Sequence, residues 1–177
     1  YISPAEFALY SIGCLSIAPL LIFEHSITRV LVPQMAAASS QNNKTRLADL
    51  YYEGVHNLAF ILIPAVTGLV IFAVPIIELC FTKRYAQAAH YLQLYALGYL
   101  LLIIPYDALA RAKGNSRWIL RTFVLFSAIS LFLAYTATVL WGPIGALSAV
   151  IISGTLMRGY AINYFRTDTF LAVKNFI

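Results

Sequence analysis

Residues 58–77 carry no charge and a single polar side chain, Thr67, over twenty positions. As a helix rising about 1.5 Å per residue, that length matches a hydrocarbon core of roughly 30 Å. A helix is the only single segment that satisfies its own backbone in lipid, so the pattern predicts a membrane span over residues 56–79. Pro64 and Pro75 lie inside it, and either can kink the helix by removing a backbone donor. Just upstream, Leu47, Leu50, Tyr51 and Val55 alternate with Arg46, Asp49 and Glu53, the pattern of an interfacial amphipathic turn leading into the span.

The same reading predicts four further spans. The first covers residues 7–35, opened by Ser3-Pro4 and by Glu6, which suits the positive end of a helix dipole. The segment AAASSQNNK, residues 36–44, is small and polar and predicts a loop. Residues 82–84 predict a short charged turn, followed by a span over 86–110 that contains Pro105 and ends near Asp107. Residues 111–117 form a basic connector with Gly114-Asn115 at its middle. Residues 118–141 predict a span framed by Trp118 and Trp141, which suit the two membrane interfaces. Gly142-Pro143 predicts a tight turn into a last span, 144–164, where Gly145, Ala149 and Ser153 form a face for close helix contact. Tyr160, Tyr164 and Phe165 suit an interfacial belt, and residues 166–177 a tail. The fold class is therefore all-α: a polytopic transmembrane helical bundle of five spans.

Composition strengthens this. A hydrophobic fraction of 61%, charged residues at 11% and a mean hydropathy of +0.79 leave too little polar surface for a soluble fold. The chain starts at Tyr1 without a signal-peptide pattern, which sets the expectation of an internal or C-terminal fragment covering residues 1–177 as one transmembrane domain. Cys14 and Cys80 have neither CxxC spacing nor histidines at ligand spacing, so they are read as packing residues.

Charge gives orientation. Lys44, Arg46, Arg111, Lys113, Arg117, Arg121, Arg166 and Lys174 fall on one side of the predicted membrane, and only Lys83 and Arg84 on the other. The positive-inside rule makes the first side cytoplasmic. Topology and contact with membrane lipids account for the net charge of +5, with no nucleic-acid partner required.

Chemistry is sparse. The sequence has no GxSxG, HExxH or Walker loop and no spaced metal ligands, so neither a catalytic residue nor a metal or cofactor is expected, and the chain is not read as an enzyme. One local cluster stands out. Glu24, His25, Thr28 and Arg29 interrupt the first span and fall within an arc of roughly 140°. Ionisable groups at such depth usually face a bundle interior or cavity. Asp107 and Arg111, spaced i, i+4, read as an interfacial pair ahead of a transport site, and Arg158 as a cation reaching along its helix to the interface, with lining a cavity as the alternative.

The segment FILIPAVTGLVIFAVPIIELCFTKRYAQAAHYLQL resembles the C-terminal half of Wzx-like polysaccharide and O-antigen flippases, in the superfamily that also holds the MATE exporters. Pro64, Gly68, Pro75, Phe81, Tyr85 and Ala88-Ala89 carry the resemblance. So do Ala8-Leu9-Tyr10-Ser11, Val32-Pro33-Gln34, Ala112-Lys113-Gly114-Asn115 and Gly142-Pro143-Ile144-Gly145-Ala146. It implies a partial C-terminal lobe of a twelve- or fourteen-helix transporter of the bacterial inner membrane. Its substrate would be undecaprenyl-pyrophosphate-linked oligosaccharide, and polysaccharide polymerases its candidate partners. On that reading Arg29 contacts substrate phosphate or belongs to a gate, with His25 beside it and Glu24 tuning it or coupling to a cation. A structural ion pair, or Arg29 reaching the interface, is the alternative. A MATE-type cation-coupled drug exporter and a membrane-embedded glycan transferase or polymerase are the competing functions.

Overall fold

The structure, a computed structural model, describes residues 3–169, without the side chains of residues 5 and 166–169. The expected tail beyond residue 169, Lys174 included, lies outside the described residues. Seven helices are present among them and no strand: α1 (Pro4–Gly13), α2 (Ala18–Ser40), α3 (Lys44–Ile71), α4 (Ala73–Cys80), α5 (Ala88–Tyr99), α6 (Ala108–Ala112) and α7 (Ser116–Thr169).

Helix starts follow local chemistry. Ser3 and Glu6 form a reciprocal capping box ahead of α1, with Pro4 in the first turn. Asn43 caps α3 by accepting from the Arg46 backbone N–H at 3.0 Å. The polar stretch 36–44 is mostly helical, because α2 runs on to Ser40 and only residues 41–43 turn the chain. Asn42 takes the positive φ of 57° that this tight turn needs.

Three of the expected spans are broken, the third of them at Pro105. The first is interrupted at residues 14–17 between Gly13 and Pro19. A Cβ on Gly13 would collide with Tyr91 and the Ala88 carbonyl, so glycine lets α1 lie directly on α5. The free Ile17 N–H donates to the Tyr99 hydroxyl at 2.7 Å, which compensates the break. The second span ends at Phe72, just before Pro75, which has no N–H for the Ile71 carbonyl. Gln93 Nε2 donates to the Val70 carbonyl beside this break at 3.0 Å. Pro64, by contrast, sits inside an uninterrupted α3.

Four stretches have the length and apolarity to cross a membrane: 6–40, 44–71, 88–112 and 116–165. The last is folded in two at Gly142, whose φ of 63° and ψ of −148° are not helical. Its contacts are antiparallel. A Cβ on Gly145 would strike the Ala137 carbonyl, Ser153 Oγ donates to Ser130 Oγ at 3.0 Å, and Trp118 stacks on Tyr164 with ring centroids 5.1 Å apart. The small face of Gly145, Ala149 and Ser153 is thus the seam of a helical hairpin with arms 116–141 and 143–169.

The core stacks in three layers along the bundle. One end joins Leu31, Met35, Leu47, Leu50, Ala108, Leu109, Trp118 and Phe165. The middle joins Leu20, Leu58, Leu62, Val66, Ala96 and Tyr99, and the far end Ala73, Ile77, Ala88, Ala89 and Leu92. The α2–α3 turn, the 113–115 connector and the end of α7 therefore share one end of the molecule. Lys83 and Arg84, in the 3-10 turn Lys83–Tyr85, mark the other. Trp118 differs from expectation: it is only 8% exposed, inside a cluster with Tyr160, Tyr164 and Phe165, whereas Trp141 is 71% exposed.

Candidate functional site

The third span is not a continuous helix. After α5 the chain tightens into a 3-10 turn, Leu100–Ile103, and Ile104 then turns extended at φ −105° and ψ 95°. Pro105 explains this: its ring disfavours a helical residue before it, and it carries no N–H. Helix resumes only at α6. A break within a span leaves carbonyls that lipid cannot satisfy, so it needs protein donors or a wet cavity.

Arg158, from the second arm of α7, supplies donors. Its Nε donates to the Leu101 carbonyl in a short contact, and its Nη1 to the Gly154 carbonyl at 3.2 Å. The guanidinium carbon lies over the Tyr106 ring, 5.7 Å from its centroid. Asp107 and Glu24 line the same cavity as Arg158 and place two carboxylates near its guanidinium. The expected reach of Arg158 to the interface is thus corrected: its side chain turns inward and clamps the broken helix.

Asp107 forms an ion pair with Arg111 across one turn, the carboxylate side chain 14% exposed and the guanidinium 56%. From α2, Glu24 faces the same space with its side chain 14% exposed. One Glu24 oxygen lies 3.0 Å from His25 Nδ1, and the other accepts from Thr28 Oγ1 at 3.0 Å. Together Glu24, His25, Thr28, Tyr106, Asp107, Arg111 and Arg158 line a cavity of about 230 Å³, closed on its apolar side by Leu102, Ile104 and Pro105. Two carboxylates and two guanidiniums balance in charge. None of the four is without a partner, as buried or half-buried ions require.

The sequence-predicted residues divide here. Glu24 and His25 line the cavity; Arg29 does not, and it stands exposed with no hydrogen bond or ion pair among the described residues. Depth separates them too. Leu31 packs on Gly54, so in the antiparallel α2–α3 pair Arg29 lies level with His56, at the edge of the uncharged stretch that starts at Leu58. Glu24 lies five residues, or about 7.5 Å, deeper. Sequence reasoning missed that Asp107, Arg111 and Arg158 join Glu24. The available signal was a proline and a carboxylate within one span, opposite an arginine in another.

The cavity can hold water, exchange a proton or cation at its carboxylates, or offer N–H donors to anionic oxygens. Among the described residues, no three histidine, cysteine, aspartate or glutamate side chains are grouped to hold a metal ion. In comparisons with known proteins, residues 1–90 match a family model described as polysaccharide biosynthesis protein. No curated protein and no solved structure matches the chain.

Proposed function

The chain belongs to the polysaccharide biosynthesis protein family, and from that premise we propose that it is part of a flippase moving undecaprenyl-pyrophosphate-linked oligosaccharide across the bacterial inner membrane. The observation that carries this reading is the charge-balanced cavity at a broken helix inside the bundle. Non-helical backbone and ionisable side chains at membrane depth persist where they are buried in protein or line a water-filled cavity, and such cavities often mark substrate paths. Discontinuous helices at the midplane are a recurrent feature of transporters that alternate access.

On this reading no bond is made or broken, and the protein's work is to replace water around an anionic headgroup. Arg158 and Arg111 offer donors that can exchange a carboxylate or carbonyl for a phosphate oxygen. Glu24 and Asp107 keep the empty cavity neutral. Arg29, unpaired and exposed midway along α2, meets the headgroup at the cytoplasmic edge, with His25 between it and the cavity. Guanidinium suits that role because it binds phosphate bidentately and keeps its charge.

The two carboxylates also favour a second reading, a cation-coupled exporter of small molecules of the MATE type. One experiment separates the two. The complete gene is deleted in its host and restored with wild-type or with Glu24→Gln, Asp107→Asn or Arg29→Ala forms, each checked for normal abundance. A flippase predicts loss of surface polysaccharide in the deletion and at least tenfold reduced export in the variants. An exporter predicts unchanged polysaccharide and altered drug sensitivity.

A further inference from the structure

The first arm of α7 carries a feature that the cavity does not use. Between Asp107 and Asp168 the chain has no acidic residue, yet it contains Arg111, Lys113, Arg117, Arg121, Arg158 and Arg166. Three of these cations are engaged: Arg111 with Asp107, Lys113 over the Phe165 ring, and Arg158 with backbone carbonyls. Arg117 and Arg121 are exposed and have no hydrogen bond, ion pair or ring contact in the described structure. They are spaced i, i+4, so both guanidiniums leave the same side of the helix.

That side continues as an apolar stripe. At 100° per residue, Val124, Leu131, Tyr135 and Val139 fall within about 60° of the two arginines. These four side chains are 58–73% exposed. From Arg121 to Val139 the helix rises roughly 27 Å, close to the thickness of a hydrocarbon core. The face thus presents two unpaired cations at one membrane boundary, then uninterrupted apolar surface. A phospholipid has the complementary profile: an anionic headgroup followed by acyl chains.

We propose that this face binds an anionic membrane phospholipid, its phosphate held between Arg117 and Arg121 and its chains lying along the stripe. The occupant follows from charge complementarity. A packed protein helix would bury two arginines that have no carboxylate on their own arm, 116–141, to meet. A zwitterionic lipid offers a phosphate but adds a cation beside it. Cations of this kind each contribute about a kcal/mol near an anionic surface, which for two corresponds to about tenfold to thirtyfold selectivity. The inference stands apart from the flippase reading, since it requires only that the helix meets lipid.

The test uses the purified chain in detergent, incubated with equal amounts of phosphatidylglycerol and phosphatidylcholine and read by native mass spectrometry. Retention of phosphatidylglycerol should exceed that of phosphatidylcholine by at least tenfold. The double variant Arg117→Gln, Arg121→Gln should approach parity, and Arg117→Lys, Arg121→Lys should keep most of the preference. A second readout does not depend on the variants. The chain has two tryptophans, so Trp141→Phe leaves Trp118, beside Arg117, as the only emitter. Brominated phosphatidylglycerol should quench it more than brominated phosphatidylcholine, and added salt should remove the difference. Equal retention and equal quenching of the two lipids by wild type would overturn the proposal. So would a preference unchanged in the glutamine variant, which would place the lipid elsewhere.

Discussion

Replacing Arg158 with alanine removes the side chain that ties the second arm of α7 to the broken third span. The lost contacts are the Nε bond to the Leu101 carbonyl, the Nη1 bond to Gly154 and the stacking over Tyr106. Interhelical hydrogen bonds within membranes average about 0.6 and reach about 1.7 kcal/mol; a charged donor on a carbonyl freed by a helix break belongs at the upper end. The ring contact adds about 0.5–1 kcal/mol, and the bond within the same helix about half a kcal/mol. The sum is about 3 kcal/mol. For a chain of this size that corresponds to a midpoint lowered by roughly 6–12 °C. Thermal unfolding of the detergent-solubilised protein, followed by tryptophan fluorescence, measures it. Arg158→Lys should recover part of the loss, since one ammonium cannot occupy both donor directions. An alanine variant with an unchanged midpoint would refute the clamp and imply that the break holds itself.

Three other outcomes follow from the fold. Gly142→Ala forces a side chain into backbone space essentially reserved for glycine, at a cost of about 1–3 kcal/mol, and should lower the oxidative cross-linking yield of a Ser130→Cys, Ser153→Cys pair that otherwise links readily. Trp118→Ala should cost about 3–5 kcal/mol of buried ring contact, whereas Trp118→Phe should cost far less, because the indole Nε1 is buried without a hydrogen-bond partner; chemical unfolding of both variants checks the difference. Single cysteines at Asn42 and Asn115 should resist an impermeant thiol reagent in intact cells while one at Lys83 reacts, and the reverse pattern would invert the membrane orientation.

The spans were legible because lipid imposes one rule, a long uncharged apolar stretch, and residues 58–77 and 122–141 obey it plainly. Turns were legible where a residue type has a backbone reason, as at Gly142-Pro143 and Gly114-Asn115. Breaks were harder. Pro64 and Pro75 look alike in sequence, yet only Pro75 falls beside a break, where Gln93 donates to the neighbouring Val70 carbonyl. The loop expected at 36–44 went wrong because small residues such as Ala36–Ala38 are also good helix formers. The cavity was half legible. Glu24 announced itself as a charge within a span, but its companions come from residues more than 80 positions away. Hydropathy records how polar a residue is and not which side it faces, so an arginine clamped inward and one reaching for the interface read alike. Arg158 lines the cavity, and Arg29 stands exposed outside it.

The proposed path for lipid-linked oligosaccharide runs through the cavity of Glu24, Asp107, Arg111 and Arg158. The direct measurement reconstitutes the complete protein into proteoliposomes holding a fluorescent undecaprenyl-pyrophosphate oligosaccharide and times the label's loss of protection from an impermeant reductant. Translocation should depend on the protein and fall at least tenfold in Glu24→Gln and Asp107→Asn at equal incorporation. Translocation at the wild-type rate in both variants, or none above empty liposomes with the wild type, would contradict it.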